Sequence, residues 1–274
     1  MRRTIIYLAI FLPVCLVFIP QQSPIALSFG GSSSSADSYQ DDGKGLPVEK
    51  RFAELAAKDP VAFLDACLKR QHREIQGYRG ILTKQERIKD KDNPQEVIEF
   101  CFREQPYSVL MKWREGARDG KASLYVQGEN RDRIAVLTNT RIPITWDIDP
   151  EGTIAQHAGR YCIRDFSLRQ ATERTMAAWK TAQEKGTLQV EFLGKKAVPA
   201  LDNRVCYLLK RTCNPPEEEG TTQVEIAIDA ETWLQTGSTL TAGDGHLIGR
   251  YEFTKMQINP DFETDLFKRE SLKK

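Results

Sequence analysis

Two spacings of apolar residues alternate along the chain, and the change from one to the other marks its elements. Between Val48 and Glu74 the spacing is helical. Val48, Phe52 and Leu55 share one face, and a second helix turns Phe63 or Leu64, Cys67 and Leu68 inward. Asp59 before Pro60 starts that second helix, an N-cap side chain followed by a residue suited to the first turn. After Gly77 the period falls to two. Segments 78–89, 95–104, 107–115, 121–127, 132–138 and 142–148 read as strands. Ile98, Phe100 and Phe102 alternate on one, and Tyr107, Val109, Met111 and Trp113 on the next. The connections are short, which predicts antiparallel hairpins with one buried face. A helical stripe returns once, from Leu168 to Glu184, carrying Leu168, Ala171, Met176, Trp179 and Ala182. Strands then resume at 187–193, 204–212, 221–229, 232–240 and 246–258. The expected architecture is α+β, mainly antiparallel β: about ten strands, two N-terminal helices and one central helix, in a single domain over 46–274.

The first 45 residues lack either pattern. Arg2 and Arg3 precede an uncharged apolar run from Ile5 to Ile19, the layout of a secretory signal peptide. Ala26 and Ser28 are small residues placed for cleavage after Ser28, giving a signal peptide over 1–28; the alternative is an uncleaved N-terminal anchor. Residues 29–45 are rich in Gly, Ser and Asp and read as a flexible linker. The expected location is the periplasm or cell envelope. Export also makes disulfides possible for Cys67, Cys101, Cys162, Cys206 and Cys213. An odd number cannot all pair, and the plainer expectation is that most are small buried hydrophobes.

Charge removes one class of partner. The chain has 39 Lys+Arg and 38 Asp+Glu, and without residues 1–28 the count is 37 against 38. That balance lacks the basic footprint of a nucleic-acid-binding protein. Asp147-Ile148-Asp149-Pro150-Glu151-Gly152 imitates the start of a calcium loop, but Ala158 stands where a bidentate Glu belongs, so a solvated turn is expected and no metal site. No Gly-x-Ser-x-Gly occurs, and His72, His157 and His246 have no neighbouring catalytic motif. No Gly-rich phosphate loop precedes a helix, and no cofactor is expected. The chain is therefore not expected to be an enzyme.

What remains is the apolar strand faces. They are either a packed core or the wall of a cavity between a curved sheet and its helices. Two segments bear on that choice. Residues 78–113 run as a strand after helices, then a strand, Pro106 and another strand; residues 250–267 form a last strand ending in Asn259-Pro260 and a closing Phe267. This pair resembles the carriers that sort bacterial outer-membrane lipoproteins (LolA/LolB-like). More narrowly, the chain resembles a family of exported bacterial proteins of unknown function with that architecture. The resemblance implies an unclosed, curved half-barrel covered by helices, with an apolar cavity for lipid or lipoprotein acyl chains.

On that reading Ile98, Phe100, Phe102, Tyr107, Val109, Met111 and Trp113 are candidate wall residues and Met176 and Trp179 candidate lid contacts, acting by apolar contact and gating. The alternative is a structural or scaffold envelope protein with a filled core, binding a protein or wall polymer through a sheet edge or loop. If bulky side chains fill the space between sheet and helices, the carrier reading fails and that alternative stands. A third reading is a hydrolase using His157 or His246 with a carboxylate. The sequence sets no oligomeric state.

Overall fold

The computed structural model describes residues 45–273; the expected signal peptide over 1–28 and residues 29–44 of the expected linker lie outside the described residues. Helix α1 (Glu49–Lys58) buries Phe52 and Ala56. Val48 is its N-cap residue, outside the helix proper, and is exposed rather than part of the buried face. Asp59 caps α2 (Pro60–Glu74), accepting a hydrogen bond from the Ala62 N–H at 3.0 Å. Phe63, Leu64, Cys67 and Leu68 are all buried.

Twelve strands form one antiparallel sheet: β1 (Gly77–Ile88), β2 (Lys91–Asp92), β3 (Glu96–Arg103), β4 (Ser108–Glu115), β5 (Gly120–Val126), β6 (Ile134–Thr138), β7 (Thr145–Ile148), β8 (Gln189–Val198), β9 (Arg204–Thr212), β10 (Thr221–Asp229), β11 (Gln235–Ala242) and β12 (Leu247–Ile258). The order is β7-β6-β5-β4-β3-β1-β12-β11-β10-β9-β8, with β2 paired to β1 alone. The sheet is open, a curved half-barrel whose edges are β7 and β8. Strand β2 is two residues long, too short to show a period in sequence. Helix α3 (Thr153–Ala158) and α4 (Leu168–Glu184) lie in the crossover between β7 and β8. Ser167 and Gln170 close a capping box at the start of α4, which fixes where that helix begins.

Long pairings join the two halves at the centre, where β1 lies against β12. Asn259 fastens the end of β12 there. Its Oδ1 accepts the Gln76 N–H at 2.8 Å, and its Nδ2 donates to the Glu74 carbonyl at 2.7 Å. The Asn-Pro turn thus ties the last strand to the turn between α2 and β1.

The cores differ between the halves. Helices α1, α2 and α4 cover the β8–β10 region, where Phe52, Phe63, Trp179, Tyr207, Leu209 and Ile228 form one apolar cluster. Phe52 stacks on Trp233 with centroids 3.7 Å apart and on Phe63 at 4.4 Å. A second cluster lies on β1, β3, β4 and β12: Tyr78, Leu82, Ile98, Phe100, Phe102, Val109, Tyr251 and Phe253. The opposite face of the same strands has its own cover. Cys101, Leu110, Leu124 and Leu137 pack with Phe267 and Leu272 of the C-terminal segment, so the closing Phe267 seals the far side of the sheet.

Candidate functional site

The second cluster meets a long helix at one end, through Leu168, the first residue of α4. Its cover is the crossover from Asp149 to Ser167, a strap containing only the six-residue α3 and a short 3-10 turn at Ile163–Asp165. Two strap side chains, Ile163 and Phe166, pack into the cluster beside Tyr107, Met111 and Trp113. Phe166 meets Phe100 at 5.3 Å between centroids and Phe253 at 6.2 Å. Edge contacts of this kind add to area burial, each by roughly 0.5–1.5 kcal/mol.

Phenol groups hold the strap's C-terminal end. The Tyr107 hydroxyl donates to the Ile163 carbonyl at 3.1 Å and accepts the Phe166 N–H at 3.1 Å. The Tyr78 hydroxyl accepts the Leu168 N–H at 2.6 Å. Burial pushes both phenols up from their ordinary range, so they act as neutral hydrogen-bonding groups. Arg164 donates to the Tyr125 hydroxyl at 3.2 Å and pairs with Glu151 at 3.0 Å.

A buried ionic group holds the strap's middle, around Ala158 and Arg160. Lys84 Nζ lies 2.6 Å from Glu86 Oε2 and 3.4 Å from Glu96 Oε2. The Trp113 indole N–H donates to Glu96 at 2.8 Å, and the Tyr251 hydroxyl donates to Glu86 at 2.7 Å. Burying two carboxylates this deeply requires such partners. Arg118 bridges from Glu96, at 3.3 Å, to the Ala158 carbonyl of the strap at 2.7 Å. Arg160 of the strap donates to the Arg87 carbonyl and pairs with Glu219. The cluster is thus a hydrophobic face whose cover has polar fastenings at its middle and at its C-terminal end.

Seven of the nine candidate residues come together here: Ile98, Phe100, Phe102, Tyr107, Val109, Met111 and Trp113. Met176 and Trp179 do not; they belong to the helical cluster with Phe52 and Tyr207. The element over the aromatic face is the strap rather than α4. Sequence reasoning missed Ile163 and Phe166 because an irregular segment has no period. The available signal was Phe166 standing just before the Ser167–Gln170 capping box, where an apolar residue fixes the chain's entry into a helix.

Ile163, Phe166 and Leu168 pack over this face, and a cavity borders the cluster at Leu234, Met256 and Ile258. Cavities of about 230 Å³ beside Arg204, Asp229 and Met256, and of about 380 Å³ beside Arg87, Glu219 and Asp244, are lined by none of the nine candidates. All five described cysteines are free, and all but Cys162 are buried. Asp147 pairs with Arg269, and Asp149 accepts the Glu151 N–H at 2.9 Å, so the calcium-like stretch is a turn built from protein contacts. His157 lies 3.1 Å from Lys89 Nζ. His246 pairs with Asp92 at 2.9 Å between exposed hairpin ends, with no hydroxyl or thiol on its other ring nitrogen among the described residues. Among those residues no helix is long and apolar enough to cross a membrane.

Several solved structures are similar to this chain. The crystal structure of MucB matches with 16% identity, over 76% of this chain and 62% of that one, at a TM-score of 0.47. The Pseudomonas aeruginosa MucA/MucB complex matches with 14% identity over 76% and 60%, at 0.46. A LolA superfamily protein from Nitrosomonas europaea matches with 10% identity over 76% and 98%, at 0.33. The chain therefore spans about 60% of the length of the MucB chains it matches. No curated protein matches it. A family model does, over residues 75–273, from the turn before β1 to the C-terminal segment, and the chain belongs to that family, described as "Protein of unknown function (DUF1571)".

Proposed function

We propose that this protein is a non-catalytic component of the cell envelope that takes up a lipid or lipoprotein acyl chain on the β1, β3, β4 and β12 face, in exchange for Ile163 and Phe166. One observation carries the reading: an aromatic and aliphatic face of a curved sheet is covered by an irregular strap whose Ile163 and Phe166 plug it, with Tyr161 against Tyr251 and Leu168 at the start of α4 beside them. An acyl chain gains roughly 0.8 kcal/mol per buried CH₂. Against that stand a few strap hydrogen bonds, each worth about 1 kcal/mol net, and the two plugs. A short irregular cover with polar fastenings is the kind of segment that opens without global unfolding. Ile98, Phe100, Phe102, Val109, Met111 and Trp113 would then be wall, Tyr107 the hinge contact, and Met176 and Trp179 fixed core.

The packing of Ile163, Phe166 and Leu168 into this face favours a second reading, the scaffold protein that docks a partner through an edge or loop. Native mass spectrometry separates the two. Protein exported from a bacterial host and purified without detergent carries stoichiometric lipid on the first reading, lost in a folded Met111→Asp variant. On the second it is apo and takes up no added fatty acid.

A further inference from the structure

Residues 139–144 join β6 to β7 at the open edge of the sheet. Ile142 is 79% exposed, Ile144 47% and Trp146 55%. Arg141 is the only charged residue from 139 to 146. Such a concentration of large apolar side chains in water marks an interaction site.

The local geometry says what kind. Several of the tip's backbone polar groups have partners within the protein. Thr138 N–H donates to the Ile144 carbonyl at 2.9 Å, and the Ile144 N–H donates to the Thr138 hydroxyl at 3.0 Å. The Thr140 hydroxyl donates to the Ile142 carbonyl at 2.9 Å, and Asn139 N–H to the Asp119 carbonyl at 2.8 Å. Pro143 has no N–H to satisfy. Each partnered backbone group lowers the cost of placing the tip at the bilayer interface. Addition of a partner strand is opposed: β7 is four residues long, and Arg133 Nη2 already caps its Asp147 carbonyl at 3.1 Å. The strand register also connects the tip to the covered face. Trp146 pairs with Val136, Val136 with Ser123, Ser123 with Met111, and Met111 with Phe100.

We propose that this hairpin tip docks the protein on a lipid bilayer. Ile142 and Ile144 enter the acyl boundary, Trp146 sits at headgroup depth and Arg141 meets lipid phosphates. The row from Trp146 to Phe100 is then the path of an acyl chain toward the strap; this last step rests on the acyl-chain reading above, and the docking does not.

The test uses the exported protein with vesicles of phosphatidylcholine, with and without phosphatidylglycerol, some carrying nitroxide-labelled phosphatidylcholine. The expected results are co-sedimentation and quenching of tryptophan fluorescence by the nitroxide. Ile142→Asp lowers the partition coefficient about tenfold or more, the loss of one inserted aliphatic side chain. Trp146→Phe still sediments but loses the quenching. The proposal is overturned if the protein sediments with neither vesicle, or if Ile142→Asp sediments undiminished and Trp146→Phe is quenched as before. A fluorescent fatty acid added from solution separates the two claims. Docking without uptake removes the acyl-chain reading and leaves the docking surface; uptake without docking does the reverse.

Discussion

Phe166 stands edge-on to Phe100, ring centroids 5.3 Å apart and planes at 70°, so a strap residue occupies the middle of the sheet's aromatic face. Replacing Phe166 with Ala removes the plug without touching the wall. Because Phe166 is only half-buried, the expected loss of stability is about 2 kcal/mol, less than the ~3–5 kcal/mol of a fully buried Phe. Fatty-acid uptake should become faster. Denaturant unfolding and stopped-flow fluorescence check the two halves of this prediction.

Tyr107→Phe keeps the ring and deletes the hydroxyl that serves both Ile163 and Phe166. The Phe166 N–H keeps only its longer contact to the Ile163 carbonyl at 3.4 Å. A cost of roughly 1–2 kcal/mol is expected, concentrated in the strap. Hydrogen exchange at residues 163–168 should accelerate while β3 and β4 stay protected.

Trp179→Ala should behave in the opposite way. Trp179 is fully buried in the helical cluster, away from the strap. Its truncation should destabilise the protein by about 3–5 kcal/mol while leaving uptake per folded molecule unchanged. A folded Trp179→Ala protein with impaired uptake would show that the helical half also meets the ligand.

Asp229 gives the acid limb of stability a testable part. Burial pushes its carboxyl up, but the Arg204 guanidinium and the Thr232 N–H and hydroxyl outweigh burial, and it titrates below the usual carboxylate range. The native state therefore binds fewer protons than the unfolded one near that range, and stability from this group is complete above about pH 4. It is lost as the pH falls through the lower native value. Asp229→Asn should be less stable at pH 7, with the gap to the unaltered protein narrowing below about pH 4, measured by urea unfolding across pH.

Cys162 lies on the strap, with its thiol 3.5 Å from the Pro150 carbonyl, and it is the least buried of the five described cysteines. It should be the first thiol to react with a maleimide in the native protein, and faster still when ligand lifts the strap. Equal labelling of Cys67 or Cys206 would contradict this, since both are fully buried.

Much of the sheet was legible from the chain alone because a period of two survives wherever one face is buried. Ile98, Phe100 and Phe102 alternate cleanly, and all three sit in one cluster with Val109. The start of α2 was legible too, since an Asp-Pro cap is a local signal. The strap was not, because Ile163 and Phe166 follow no period and are placed by Tyr78 and Tyr107, far away in sequence. For the same reason the central helix was expected as a lid. Its stripe showed that Met176 and Trp179 face inward, but not which half of the sheet they face. The segment 142–148 reads as one strand by composition, yet Ile142 and Ile144 stand exposed beyond the four residues of β7, since apolar character there does not report burial.

The exchange of Ile163 and Phe166 for an acyl chain is tested most directly by hydrogen exchange on the exported protein, with and without saturating palmitate. Ligand binding should strip protection from residues 160–168 while preserving or raising it across β3 and β4. Bound palmitate with an unchanged strap, or no binding at all, would contradict the account.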